Sequence, residues 1–314
     1  MAEPSLMENQ LKTPSVLITG GSGLIGKYLT SVLLVKGYNV SHLSRSSKQT
    51  GNVRLFNWKP EKGVIDIKVF EGIDHIVHLA GANIGEARWT KKRKEEIVNS
   101  RVKTIGLLFR GIIENDIKLK TFISASAVGY YGSITSEKIF TEKDLPETDF
   151  LGTTCRNWEE AADKFMNTGI RTVKIRTAVV LNKNDSALSK LMMPAKFGFL
   201  VQTGSGRQYI PWIHIDDLCN IYLKAIEDQD MNGAYNAVSP QNVTHKEFVE
   251  TLARVMGKPL FPVPVPAFVI RAALGKMSDV VLTGSRISSE KIVSSGYKFR
   301  YPVLEICLKN ILVR

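Results

Sequence analysis

Cysteine is scarce: Cys155, Cys219 and Cys307 are the three thiols in 314 residues. Their odd number and wide scatter exclude a disulfide framework and fit a reducing, cytoplasmic setting. No pair of them stands at metal-ligand spacing, so no metal is expected. Long apolar runs are also missing, with no stretch near the ~18 residues that a membrane-crossing helix needs. Internal repeats and low-complexity tracts are absent, which excludes solenoids and fibrous chains. The opening MAEPSLMENQLKTPS has no apolar segment behind a basic start. It therefore reads as a flexible tail over residues 1–14 and not as a secretory leader.

What is present is ordinary globular composition, 44% apolar and 23% charged, with a net charge of +12. The densest basic cluster is Lys91, Lys92, Arg93 and Lys94, and it opens a stretch with apolar residues at helical spacing. We read it as the solvated start of a helix. No nucleic-acid-binding motif accompanies it, so a nucleic-acid partner is not expected. The surplus charge fits an anionic small-molecule ligand.

Strand and helix signals alternate through the first 181 residues. Strand-like apolar runs occur at 15–19, 39–43, 75–81, 121–126 and 172–181, with a weaker one at 53–58. Helical periodicity appears at 24–36, from 91 onward and at 154–168. This rhythm predicts an α/β fold of the Rossmann type, a doubly wound parallel sheet. After residue 181 the rhythm changes. A helix is expected over 214–228, a strand over 233–238 and a helix over 244–256, with Thr244 and Glu247 as a capping box. Four prolines in residues 259–266 then impose an extended segment, followed by two or three short helices. The expected division is a dinucleotide-binding domain of residues 15–181 plus 214–240. A smaller C-terminal substrate lobe takes 182–213 plus 241–314.

The strongest signal is Gly20-Gly21-Ser22-Gly23-Leu24-Ile25-Gly26, between the first strand and the first helix. Gly20, Gly23 and Gly26 fit the three demands of a dinucleotide loop: a tight turn, close approach of a pyrophosphate, and helix-on-strand packing. The helix N-terminus adds free N–H groups and a partial positive charge. At the end of the second strand an acidic residue would suit the ribose of NAD. The sequence offers Ser44-Arg45-Ser46-Ser47-Lys48 instead. Arginine and hydroxyls suit a 2′-phosphate, so NADP is expected over NAD.

These residues resemble the extended short-chain dehydrogenase/reductase superfamily, and within it the atypical "epimerase family protein" subgroup. The matching segments are GGSGLIG (20–26), SR (44–45), LAGANI (79–84), RWTKKRKEEIVNSR (88–101) and SASAVGYYG (124–132). NWEEAA (157–162), KIRTAVVL (174–181), GSGRQYIPWIHIDDL (204–218) and a tail over about 258–312 complete it. The resemblance implies that Leu79, Ala80 and Gly81 lie beside the adenosine, that Glu96 and Arg101 lie near the cofactor, and that Val180 passes the nicotinamide by its backbone. It also implies that exposed helices can pair two copies into a homodimer.

The sequence departs from that superfamily at the residues that move protons. Active members carry Tyr-x-x-x-Lys on the helix after GYYG, where the lysine lowers the tyrosine pKa and holds the nicotinamide ribose. Here Thr154 and Trp158 stand in those places. Ser126 and Tyr130 are the candidate replacements, and Cys155 would need a depressed pKa to serve. Arg207, Trp212 and His214 match the segment at the mouth of the substrate pocket, with Asp216 expected to cap the following helix. The expectation is an NADP-dependent oxidoreductase or epimerase acting on a small polar substrate, such as a sugar nucleotide. The alternative is a non-catalytic NADP(H)-binding sensor or scaffold.

Overall fold

In the computed structural model the described residues are 13–45, 53–183 and 187–313. The expected tail up to residue 12, and Ser46, Ser47 and Lys48, lie outside them. The elements run β1 (Ser15–Thr19), α1 (Leu24–Val35), β2 (Asn39–Ser44), β3 (Arg54–Lys59), β4 (Val64–Ile65), β5 (His75–His78), α2 (Lys91–Glu114) and β6 (Thr121–Ala127). Then come β7 (Ile139–Phe140), α3 (Phe150–Met166), β8 (Arg171–Thr177), β9 (Val179–Leu181), α4 (Ala187–Leu191), β10 (Trp212–His214) and α5 (Ile215–Glu227). The last are β11 (Gly233–Ala237), α6 (His245–Met256), α7 (Ala267–Leu274), α8 (Asp279–Leu282), β12 (Arg286–Ile287), α9 (Glu290–Ser294) and α10 (Leu304–Leu312).

The central sheet has the order β11-β8-β6-β5-β1-β2-β3-β4, parallel throughout except for the terminal β3–β4 pair. β1 is buried along its whole length, as a strand covered on both faces must be. The chain leaves β1 for β2 on one side and later returns to β5 on the other. That reversal opens a crevice at the carboxyl ends of β1 and β5, the usual ligand position in open α/β sheets.

Each face has its own core. α1 and α5 pack together on one face, around Leu29, Leu33, Ile213, Leu218 and Tyr222. α2 and α3 pack on the other, around Ile105, Leu108, Phe122, Trp158 and Phe165. A third core, with Trp212, Phe248, Leu252 and Leu308, belongs to the C-terminal lobe. The lobe is not built from the whole tail: Ile287 and Ile292 join the first core, and β12 pairs with β7. So residues 286–299 return to the sheet. The outer edge of β11 is covered by side chains. Glu142 accepts from the Asn236 N–H at 2.7 Å and Lys291 donates to the Ala234 carbonyl at 2.7 Å.

α3 begins four residues before the apolar periodicity suggests, because Asp149 caps it. Its carboxylate accepts from Gly152 N and Ser133 N, both at 2.7 Å. The tail holds four short α-helices, not two or three, with α8 a single turn. α6 has the expected capping box on Thr244 and Glu247. No helix among the described residues is long and apolar enough to cross a membrane.

Two helical glycines make opposite demands. A Cβ on Gly26 would lie 2.6 Å from the Cα of Gly21 and closer still to the Gly20 carbonyl oxygen, whereas one on Gly106 meets nothing within 4 Å. Gly26→Ala is expected to lower the unfolding free energy by roughly 1–3 kcal/mol through overpacking. Gly106→Ala should raise it by about 0.5–1 kcal/mol through helix propensity. Urea denaturation of both variants checks the pair.

Candidate functional site

The crevice is lined first by backbone. Gly20 holds φ +73°, and a Cβ there would lie 2.9 Å from the Ala80 nitrogen and the Leu79 carbonyl carbon. Only glycine lets β1 turn while the 79–81 loop presses against it. Gly23 closes the turn, its N–H donating to Gly20 O at 3.0 Å, and no side chain caps α1. The first helical N–H groups, those of Leu24, Ile25 and Gly26, are therefore left for a ligand, with Ser22 and Gly23 exposed beside them. Gly21 is a further constraint that the motif spacing does not announce. A Cβ there would strike the His42 ring, with Cγ at 2.6 Å. His42 stands on β2 with Nε2 2.8 Å from Thr30 Oγ1, whose own proton goes to Gly26 O at 2.7 Å. The imidazole thus donates through Nε2, and burial pulls its pKa down. Ser44 and Arg45 close β2, the arginine exposed.

A buried relay ties the two loops to α2. Ala80 N–H reaches Thr19 Oγ1 at 3.2 Å, and Thr19 Oγ1 lies 2.8 Å from His78 Nδ1. His78 Nε2 lies 3.2 Å from Thr104 Oγ1, whose proton goes to the Ser100 or Arg101 carbonyl at 2.8 Å. One direction satisfies every group: Thr19 donates to Nδ1, and Nε2–H donates to Thr104. His78 is fully buried, and desolvation holds its pKa down to about 3.

Beside this relay stand a cation and an aromatic ring. Arg101 is half-buried, donates to Ile97 O at 2.9 Å and lies 4.8 Å from the Trp158 ring centre. A Cβ on Gly81 would come within 3.1 Å of its Cζ. Trp158 is 6% exposed, and its Nε1 has no hydrogen-bond partner. Glu96, expected near the cofactor, forms an ion pair with Arg93 at 2.8 Å, and Arg93 also holds Glu86. Val180 is half-buried on β9, paired with Ile213.

Burial distinguishes the proton-moving candidates. Ser126 is 3% exposed and donates to Glu159 Oε1 at 2.7 Å, so its hydroxyl points into the α3 interface. Glu159 is held by a two-pronged contact from Arg176, Nε to Oε1 at 2.8 Å and Nη2 to Oε2 at 2.9 Å. Arg176 Nη1 also donates to the Tyr131 hydroxyl at 2.9 Å, which donates on to Asn236 Oδ1 at 2.7 Å. Burial pushes the Tyr131 phenol up to about 12. Tyr130 is half-buried with its ring 3.4 Å from the Arg176 guanidinium carbon. Its pKa is raised, with desolvation outweighing the cation. Cys155 is closed off too, its thiol pushed up to about 12 by burial. Thr154 spends its hydroxyl on Phe150 O at 2.6 Å.

The substrate-side candidates divide. Trp212 has no exposed surface and bonds Gln241 O at 3.1 Å, so it is core of the lobe and not pocket wall. His214 is 3% exposed and is itself the N-cap of α5, with Nδ1 accepting from Asp216 N at 3.0 Å; Asp216 is not the cap. Arg207 alone of the three is exposed. Across the crevice the 82–90 loop is fastened to the lobe by Arg88 on Ala272 O at 3.1 Å and Lys190 on Gly85 O at 3.0 Å. Arg176 and His78 are site organisers that sequence reasoning does not single out. Their signal in the sequence is a charged or polar residue inside an otherwise apolar strand or helix face.

The sequence pattern of the NAD dependent epimerase/dehydratase family matches residues 16–238. The chain belongs to this family. Residues 265–311 match a domain of unknown function, DUF1731. The chain is similar to epimerase family protein YfhF of Bacillus subtilis, with 36% identity over 301 residues covering 95% of this chain and 98% of that one. It is also similar to the crystal structure of human epimerase family protein SDR39U1 (isoform2) with NADPH. There the identity is 30% and the TM-score 0.83, over 96% of this chain and 99% of that one. The UDP-glucose 4-epimerase of Thermotoga maritima, with UDP-glucose, shares the fold at 19% identity and a TM-score of 0.76, over 94% and 97% of the two chains.

Two measurements test these interactions. Arg176→Met strands a buried carboxylate and is expected to lower the unfolding free energy by about 3–5 kcal/mol. The double variant Arg176→Met with Glu159→Met should recover part of that loss in urea titrations. For His78 the unfolded ring takes its proton near pH 6.5 and the folded ring only near 3, so between these the unfolded state binds more protons. Stability then falls as pH falls, by up to about 1.4 kcal/mol per pH unit from this ring. His78→Gln should flatten the fall between roughly pH 6 and pH 4 by one proton's slope. An unchanged slope would remove the buried neutral imidazole as its source.

Proposed function

We propose that the protein binds NADP(H) in the crevice between β1 and β5 and acts on a small polar substrate as an oxidoreductase or epimerase without the Tyr-x-x-x-Lys pair. The observation that carries the reading is the bare cradle. A Cβ on Gly20, Gly21 or Gly26 would strike the 79–81 loop, the His42 ring or the turn's own backbone, so the turn packs close and without side chains beneath α1, which begins uncapped. Those residues fit a pyrophosphate. Arg45, at the end of β2 with no acidic residue beside it in the described chain, fits the 2′-phosphate. The human relative crystallised with NADPH supports the same choice. When bound, the nicotinamide supplies hydride transfer. The chain's own part is to hold the phosphates on Ser22–Gly26, to flank the adenosine with Leu79 and Ala80, and to pass Val180 along the nicotinamide. The three buried thiols support a cytoplasmic setting.

One observation favours a second reading, a non-catalytic NADP(H)-binding sensor or scaffold. The hydroxyls of Ser126, Tyr131 and Thr154 are all committed to internal partners. A sensor should bind the cofactor tightly yet show no redox change with any polar substrate. An enzyme should oxidise or reduce bound nicotinamide, seen by its absorbance.

Calorimetric titration of NADPH and NADH into the wild-type chain and into Arg45→Ala tests the cofactor. NADPH should bind more tightly than NADH, and the variant should lose about 10–100-fold in NADPH affinity with little change for NADH, the worth of one charge-assisted contact. Equal affinities for both cofactors would remove the role of Arg45.

A further inference from the structure

We propose that one face of the C-terminal lobe, formed by the turn at 193–197, the 259–266 segment and α7, docks the chain on a membrane surface that carries anionic lipid. The inference is independent of the cofactor reading.

Large apolar side chains on a protein surface ordinarily stand singly. Here they gather. Phe197 is 80% exposed and Phe268 72%, and Met193, Phe261, Val263 and Val269 are exposed with them. Backbone pairing sets the segments side by side. Leu200 N–H donates to Pro259 O at 3.0 Å, Phe261 N–H to Leu200 O at 2.7 Å and Val265 N–H to Gln202 O at 2.8 Å. The rings of Phe199 and Phe261 meet with their centres 5.2 Å apart. α7 starts two residues after Val265, with Ile270 as its one buried residue. Its Phe268 and Val269 continue the apolar strip.

Charge selects what covers the strip. The sequence has no aspartate or glutamate between Asp185 and Asp216, nor between Glu250 and Asp279. The cations of those stretches are therefore poorly neutralised. Lys190 is tied to Gly85 O and Arg254 to Glu305. Lys196, Lys258, Arg271 and Lys276 are exposed and form no ion pair among the described residues. An apolar strip edged by free cations fits an apolar phase with negative charge at its border, the arrangement of acyl chains beneath anionic headgroups. A second copy fits poorly, because a two-fold contact would bring these cations toward their own symmetry mates.

The backbone favours lipid over an acidic protein. Acyl chains offer no acceptor, so an N–H that enters among them must be met already or missing. In 259–266 the four prolines have none, and Phe261 and Val265 spend theirs on the neighbouring segment. A protein partner makes no such demand, since it can pair with an open backbone edge.

The test uses the full chain and extruded vesicles, either phosphatidylcholine alone or with phosphatidylglycerol as about a third of the lipid, separated by sedimentation. The chain should sediment with the anionic vesicles and stay in solution with the neutral ones. Raising NaCl from about 0.1 M to about 0.5 M should weaken the binding about tenfold or more. Phe197→Ser with Phe268→Ser should lose about tenfold or more in vesicle affinity. Lys196→Glu with Lys258→Glu should lose as much at low salt and little at high salt. Lys91→Glu with Lys92→Glu makes the same change in net charge at the start of α2, away from this face, and should bind as wild type does. If it loses as much as the lobe variant, the attraction belongs to the net charge of the whole chain and the docking face is overturned. Failure of wild type to bind anionic vesicles overturns it too. Light scattering that then shows a dimer dispersed by the phenylalanine variant assigns the strip to a second copy.

Discussion

A guanidinium and a carboxylate, both almost closed off from water, organise the half of the molecule where proton chemistry would be expected. Arg176 on β8 and Glu159 on α3 meet through two parallel hydrogen bonds. Their remaining valences reach Ser126 on β6, Tyr131 in the turn after it and, through that phenol, Asn236 on β11. Taking such charges out of water is expensive unless every lone pair and proton is met. The network meets them by recruiting one group from each neighbouring element. The helix, three strands and the glycine-rich turn are thereby held in one register, and Tyr130 is clamped by its ring against the same cation. The Ser126 hydroxyl, which a sequence reading offers to a substrate, is taken up in balancing this pair.

The cofactor half is built on a different principle. Its surface is shaped by missing side chains at Gly20, Gly21 and Gly26 and by donors left without partners. Beneath it the His78 relay satisfies each hydrogen bond in one direction, fixing the 79–81 loop against β1 and α2. The crevice thus combines a rigid floor with an unsatisfied rim. A floor of closed hydrogen bonds keeps its shape without a ligand, and a rim of spare donors and positive charge supplies the affinity.

The legible and illegible parts of the sequence divide by the range of the interactions. The glycine loop could be read because the demands on Gly23 and Gly26 are set by the few residues around them, and the parallel sheet because β1, β5 and β6 announce themselves as short apolar runs. The capping box on Thr244 and Glu247 is local in the same way. The partner of Ser126 could not be read, because it stands 33 residues away on another element. Trp212 and His214 resemble pocket residues in their motif but face the core of the lobe and the start of α5. Gly21 needed the ring of His42, which only the β1–β2 pairing brings near.

The last strand of the sheet carries a quieter consequence. β11 lies at the rim, where a strand ordinarily offers a ladder of free N–H and C=O groups to any extended chain that arrives. Here the Asn236 N–H is stopped by Glu142 and the Ala234 carbonyl by Lys291, two charged side chains from distant parts of the sequence. That rim is therefore a poor template for edge-to-edge growth. A second copy of this chain that comes alongside that rim meets two charged side chains already seated on its backbone.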